Sequence, residues 1–305
     1  MKITLVGVGK MGAQIAQKLI HAGHEVVAVD PNADAVAAVA AQGAIASQGR
    51  EDSLTKYSGE QIVVWLMIPA QFVGAEVEAW CDILPQGSIL IDGGNTDFRQ
   101  TKQHAKQAAA RGIAFVDVGT SGGVLGLSQG FSMMAGGDES AYRTITPILD
   151  VLALPKGGHN YFGSAGAGHY IKMVHNAIEY GMMESLAEGY RMLHDGPYAG
   201  LNLAAIGDVW QQSSVIESTL NRLATESVRE DQALSTVDGF VAESGEARWT
   251  LEVADEAGVH LPAIQSALDV RVATAHGDVN YATKLLAELR NKFGGHAVNK
   301  EITHE

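Results

Sequence analysis

Cysteine is almost missing from this chain: Cys81 is the single one in 305 residues. One thiol cannot close an intrachain disulfide, which fits a reducing compartment and leaves Cys81, beside Trp80, as an ordinary core or near-surface residue. Positive charge is also scarce. Lys and Arg number 21 against 35 Asp and Glu, so the formal net charge is −14 and the pI is near 5.2. That balance argues against nucleic acid or an anionic membrane as the main partner, although a few arginines can still gather around a small anion. No apolar stretch reaches the roughly twenty residues that span a bilayer. The opening KITLVGVG lacks the basic region, long apolar run and cleavage site of a secretory signal, so a soluble, cytoplasmic protein is expected. HExxH, CxxC and carboxylate clusters with metal-ligand spacing are missing, and the 11 histidines are scattered, so no metal is expected. Solenoid-length repeats and low-complexity tracts are missing too.

What the chain does have is apolar mass, 46% of its residues, and a length that suggests two domains. Its first half alternates strand-like runs, at 2–6, 25–30, 44–47, 62–68, 88–92, 114–118 and 131–135, with helical patterns at 11–22, 33–41 and 101–111. Short apolar runs alternating with helices imply βαβ units and a mostly parallel sheet covered on both faces. The pairs Gly93-Gly94, Gly122-Gly123 and Gly136-Gly137 follow strands and mark tight turns. After about Gly163 the strand signal fades, and helices are expected from Gly166 to about Leu193, then at 203–226, 245–257, 262–276 and 280–293. The fold class is therefore α/β, a doubly wound Rossmann-type sheet in residues 1–163 followed by an all-helical domain in 164–305. The last residues, from Gly294, are polar and are expected to extend away from the body or onto a partner subunit.

Gly7-Val8-Gly9-Lys10-Met11-Gly12 is a GxGxxG sequence set between the first strand and the first helix. Gly7 permits a tight turn, Gly9 lets backbone approach a pyrophosphate, and Gly12 allows helix to pack closely on strand. The helix N-terminus offers N–H groups and a positive dipole end to phosphates. Such a motif alone can be a mere glycine-rich turn. Here Asp30 follows Gly12 by eighteen residues, at the end of the second strand, which is the context a dinucleotide site requires. A carboxylate there accepts hydrogen bonds from both ribose hydroxyls of NAD and repels the 2′-phosphate of NADP, and Pro31-Asn32 supplies no offsetting arginine. NAD is the expected cofactor, with a turn-capping aspartate as the plainer alternative.

The segment GAGHYIKMVHNAIEYGMMESLAE, Gly166 to Glu188, carries Lys172, His175, Asn176 and Glu179 at i, i+3, i+4 and i+7. These share one stripe of a helix. Apolar neighbours Ile171, Met173, Val174, Ile178, Met182 and Met183 suggest a helix buried nearly all round. Buried charges are costly unless paired or used, so a core Lys–Glu salt bridge and a catalytic array both fit the stripe taken alone.

Gly7–Gly12 with Met11, then IDGGNTDFRQT, VGTSGG, GAGHYIKMVHNAIEYG and RNKFGGH, together resemble decarboxylating 6-phosphogluconate dehydrogenases over nearly the whole chain, in the short form with a reduced helical domain. KMVHNAIEYG is the specific part of the resemblance, since GxGxxG is widely shared. The resemblance implies oxidation of 6-phospho-D-gluconate at C3 and loss of C1 as CO₂, giving ribulose 5-phosphate. It implies Lys172 as general base and acid, its pKa lowered by desolvation, Glu179 as the acid that protonates the enediol, and Asn176 as their catalytic neighbour. Met67 and Asn95 are implied beside the cofactor. Asn95, Ser121, Gly122, Gly123, His175, Asn176 and Tyr180 are implied as substrate contacts, and Arg271, Arg290 and His296 as phosphate contacts. Each has a plainer alternative: a turn asparagine, a flexible loop, core polar groups, a packed tyrosine, a surface arginine. The family's C-terminal tail reaches a neighbouring subunit's site in the long form, which implies a homodimer or dimer of dimers. One departure stands out: Ser244 of ESGEARW lies near the place of a phosphate-binding lysine. A β-hydroxyacid dehydrogenase acting on a small unphosphorylated acid is the second enzyme reading, and a non-catalytic NAD(H)-binding sensor is the alternative of another class.

Overall fold

Apolar runs separated by amphipathic stretches build the first half in alternation, and the computed structural model describes residues 1–296 and 298. The elements run β1 (Lys2–Val6), α1 (Lys10–His21), β2 (Glu25–Val29), α2 (Ala33–Ala40), β3 (Ile45–Ala46), α3 (Arg50–Leu54), β4 (Val63–Leu66), α4 (Ala70–Ile83), β5 (Ile89–Asp92), α5 (Phe98–Ala110), β6 (Ala114–Ser121), a 3₁₀ turn (Gly123–Leu125), α6 (Gly126–Gln129), β7 (Ser132–Gly137), α7 (Glu139–Ala153) and β8 (Gly158–Tyr161). All eight strands join one sheet in the order β3-β2-β1-β4-β5-β6-β7-β8. Every pairing is parallel except β6 with β7, where Val116 faces Gly137 and Ser121 faces Ser132. The chain reverses direction across the sheet between β1 and β4, and such a switch point opens a crevice at the strands' carboxyl ends. One side of the sheet packs Ile15, Leu19, Ile145, Ile148 and Leu149 from α1 and α7. The other packs Val73, Val77 and Trp80 of α4 with Leu84.

The remaining helices are α8 (Ala167–Asp195), α9 (Leu203–Trp210), α10 (Thr219–Glu230), α11 (Glu246–Glu256), α12 (Pro262–Thr274) and α13 (Tyr281–Gly294). The compact units are Met1–Met173 and Val174–Glu305, so the long helix α8 starts in the first and continues in the second. A core of Met183, Tyr190, Leu223, Val228, Leu285 and Leu289 holds the second unit together.

Several expectations need correction. The polar strand β8 was missed, because an edge strand reading GHNY with alternating exposure carries no apolar run. Gly136-Gly137 belongs to the β7 ladder rather than to a turn beyond it. The helix expected over 203–226 is two helices, broken where Ser213 has φ 61° and Ser218 caps α10 by accepting from the Asn221 N–H. Finally, α8 is not buried all round: Tyr170, Ile178, Met182 and Met192 are exposed along it. Residues 297 and 299–305 of the expected C-terminal tail lie outside the described residues.

Candidate active site

The loop after β1 has the geometry that the glycine spacing demands. Gly7 has φ +88°, and a Cβ on it would meet the Met67 carbonyl oxygen at 2.5 Å. A Cβ on Gly12 would meet the Gly7 carbonyl oxygen at 2.0 Å, so α1 and its strand touch backbone to backbone. Gly9 differs, because a Cβ there meets nothing within 4 Å. Gly9 is also the N-cap of α1, with no side chain capping it and no acid in the first turn. Open space at an uncapped helix N-terminus fits a pyrophosphate. Asp30 closes the loop from β2: its carboxylate accepts from the Val8 N–H and the Asn32 N–H, each at 2.8 Å. The side chain is half-buried, and its remaining lone pairs suit ribose hydroxyls.

Two further loops leave the carboxyl ends of β5 and β6. Asp92, fully buried, accepts from the Gly94 N–H at 3.0 Å and the Thr96 hydroxyl at 2.8 Å, which fixes the turn that exposes Asn95. Gly93 admits no Cβ, since one would lie 2.0 Å from the Trp65 indole nitrogen and 2.7 Å from the Met67 sulfur. Ser121 ends β6, and Gly122 (φ 140°) and Gly123 (φ 50°) turn the chain into the 3₁₀ segment in conformations that favour glycine.

Lys172 is held by backbone. A Cβ on Gly119 of β6 would lie 2.4 Å from the Lys172 Cβ and 2.9 Å from the Gly168 carbonyl oxygen, so α8 rests directly on the strand. Gly168 and Gly136 are equally tight: added Cβ atoms would meet the Met134 carbonyl oxygen at 2.3 Å and the Gly168 nitrogen at 2.8 Å. Between them the fully buried Asp117 accepts from the Gly166 N–H at 2.8 Å and the His169 N–H at 3.0 Å, satisfying the first turn of α8. The His169 ring meets the Thr101 hydroxyl at 2.8 Å. Lys172 itself is 7% exposed. Sequence reasoning overlooked Asp117, Gly119 and Gly168. The available signal was Asp117, a charge in the middle of the apolar strand AFVDVG, which must have partners if buried.

The second unit gathers a polar cluster around the middle of α8. The His175 Nδ1 lies 3.0 Å from the Asn176 side-chain oxygen Oδ1 and 3.9 Å from the Glu179 carboxylate. Asn176 donates to Glu246 at 3.0 Å, a buried acid in the first turn of α11 that sequence reasoning also overlooked. The Tyr180 hydroxyl accepts from the Ser244 N–H at 3.1 Å and lies 3.3 Å from the Ser244 hydroxyl. Arg271 stacks its guanidinium 3.2 Å from the Tyr180 ring centroid and is 3% exposed, with Nε lacking a hydrogen-bond partner. Burial holds both the Arg271 and Arg290 guanidinium groups below their ordinary pKa, and Arg290 adds to that effect on Arg271. Two buried cations within each other's field, one with a free donor, are suited to an anion.

The expected residues thus divide between the units. Gly7, Val8, Gly9, Lys10, Met11, Gly12, Asp30, Met67, Asn95, Ser121, Gly122, Gly123 and Lys172 belong to the first. His175, Asn176, Glu179, Tyr180, Arg271, Arg290 and His296 belong to the second, where His296 is exposed at the end of α13 with its ring edge-on to Phe293.

Two family models match the chain, the NAD binding domain of 6-phosphogluconate dehydrogenase over residues 2–163 and the 6-phosphogluconate dehydrogenase C-terminal domain over residues 168–303. A relative in Haloferax volcanii, named NAD(+)-dependent, decarboxylating 6-phosphogluconate dehydrogenase, is 37% identical over 99% of each chain. Among solved structures, Plasmodium falciparum 6-phosphogluconate dehydrogenase superposes with TM-score 0.79 at 23% identity, covering 95% of this chain and 70% of that one. Mycobacterium tuberculosis 3-hydroxyisobutyrate dehydrogenase gives TM-score 0.72 at 22% identity, covering 93% and 97%.

Proposed function

Since the chain belongs to the 6-phosphogluconate dehydrogenase family, we propose that it converts 6-phospho-D-gluconate to D-ribulose 5-phosphate and CO₂ with NAD as oxidant. The observation that carries this reading is α8: one unbroken helix bears Lys172, Asn176 and Glu179 on a single stripe, with Lys172 buried against backbone. Gly7, Gly9, Gly12 and Asp30 fit NAD, which when bound supplies the hydride acceptor. Residues 1–163 form the cofactor side in this reading, and 164–305 the substrate side.

The chain's own groups then divide the chemistry. Lys172, neutral at the start, takes the C3 hydroxyl proton as the hydride departs from C3. As an ammonium it hydrogen-bonds the new C3 carbonyl and stabilises the enolate formed when C1 leaves as CO₂. It passes its proton to that oxygen to give the enediol and recovers it as the ketone forms. Glu179, protonated at this step, delivers a proton to the carbon that lost CO₂. Asn176, held by Glu246, orients substrate hydroxyls together with His175. Asn95 and the Ser121-Gly122-Gly123 turn receive the substrate's carboxylate end, the N–H groups of the turn forming an anion nest. Tyr180, Arg271 and Arg290 receive the phosphate, assisted by His296. Asp30, anchored by two backbone N–H groups, favours NAD over NADP.

A homodimer or dimer of dimers belongs to the same reading. Its support is the exposed stripe of Ile178 (52%), Met182 (51%) and Met192 (64%) on α8, with Gly181 and Gly189 open alongside. The likeness to 3-hydroxyisobutyrate dehydrogenase keeps a second reading, oxidation of a small hydroxy acid without loss of CO₂. Initial rates and trapped CO₂ with 6-phosphogluconate, gluconate and 3-hydroxyisobutyrate, each with NAD and NADP, decide between them. One CO₂ per NADH from the phosphorylated acid alone supports the first reading, and NADH without CO₂ overturns it.

A further inference from the structure

Glu184 is a buried acid that the chemistry above does not use. It lies one turn beyond Tyr180 on α8, hence on the same helical face, and the Tyr180 ring carries the Arg271 guanidinium. Its neighbour Met183 accepts a long N–H···S contact of 3.7 Å from Arg271. Glu184 is 6% exposed, and its Oε2 is sealed without a hydrogen-bond partner, as is the Arg271 Nε. The charged groups that act on Glu184 are Glu188, one turn further along α8, and Arg271 from α12. Arg290 from α13, with Tyr180 and Glu179 from α8, acts in turn on Arg271. Burial first, then Glu188, push the Glu184 carboxyl up to about 7, while Arg271 works against them.

We propose that Glu184 is a proton-linked counter-ion to Arg271: its carboxylate balances the guanidinium before substrate binds, and it takes up a proton when the substrate's phosphate assumes that task. The proposal rests on the reading of Arg271 as a phosphate ligand. A phosphate dianion at Arg271 cancels the field that keeps Glu184 ionised. The acid's proton affinity then rises, and binding draws a proton from solvent. By linkage, affinity weakens above neutral pH by up to about tenfold per pH unit for one proton. The substrate's own second phosphate ionisation, near pH ~6, runs the opposite way, so the two effects separate.

Calorimetric titration of wild type and Glu184→Gln with 6-phosphogluconate, without cofactor, from pH 6.5 to 8.5 in buffers of different ionisation enthalpy, tests this. Wild type is expected to take up roughly half to one proton near pH 7.5 and to bind progressively more weakly above it. Glu184→Gln is expected to take up none, to keep a flat Kd, and to bind about tenfold tighter than wild type at pH 8.5, with kcat at pH 6.5 within about twofold. A purely structural role leaves proton uptake alike in the two proteins, and that result overturns the proposal. If the variant does not fold, infrared difference spectra of wild type at pH 7.5 decide: a protonated-carboxyl band growing on 6-phosphogluconate addition supports the proposal, and its absence overturns it. A folded wild type that binds 6-phosphogluconate at no pH overturns the phosphate reading itself, and the proposal with it.

Discussion

Lys172 owes its position to groups outside the proposed substrate contacts. Gly119 and Gly168 bring α8 against β6, and Asp117 fixes the first turn through two backbone N–H groups. With the general-base role proposed for it, Lys172→Met is therefore expected to lower kcat by roughly 10²–10⁴-fold. The NADH dissociation constant, followed by fluorescence titration, should stay within about twofold. Asp117→Asn makes a different test. The amide has one acceptor oxygen where the carboxylate has two, so either the Gly166 or the His169 N–H loses its partner in a sealed place. A stability loss of about 1–3 kcal/mol in urea unfolding is expected, together with a fall in kcat and little change in the KM for NAD. Wild-type stability in that variant would show that Asp117 does not anchor the helix.

Among the elements, the three glycines after β1 do separate jobs, and substitution should part them. Gly9→Ala points a methyl into open space and is expected to leave the thermal midpoint nearly unchanged while raising the KM for NAD about tenfold or more, which steady-state kinetics can read. Gly12→Ala drives a methyl onto the Gly7 carbonyl oxygen and is expected to cost about 1–3 kcal/mol of stability, measured by denaturant unfolding. The parallel strands, the GxGxxG turn and the α8 stripe were legible because each repeats a period or a spacing that one short window displays. Strand β8 was not, since its GHNY sequence has no apolar run to mark it. Asp117, Glu246 and Glu184 escaped for another reason. Their roles come from partners or neighbours distant in sequence, as with Asp117 and Gly166 or Glu246 and Asn176, and no local pattern encodes such a meeting. The break at Ser213 was likewise hidden, because an apolar Val215-Ile216 pair continues the helical pattern through the gap.

For the molecule as a whole, the net charge is −14, and against it the exposed Ile178, Met182 and Met192 row on α8 is apolar. Met182→Glu should shift the mass seen by light scattering from an assembly to a single chain, and an unchanged mass would remove that row from the contact. The Gly119, Gly136 and Gly168 contacts carry a wider lesson for redesign. Where main chain lies against main chain, no mutation can tune the fit by degrees: a methyl either is refused or forces the helix off its bed. Directed evolution toward new sugar acids on this scaffold should therefore find its productive changes among the side chains of α11, α12 and α13, while the glycine seat beneath the lysine stays monomorphic in every surviving clone.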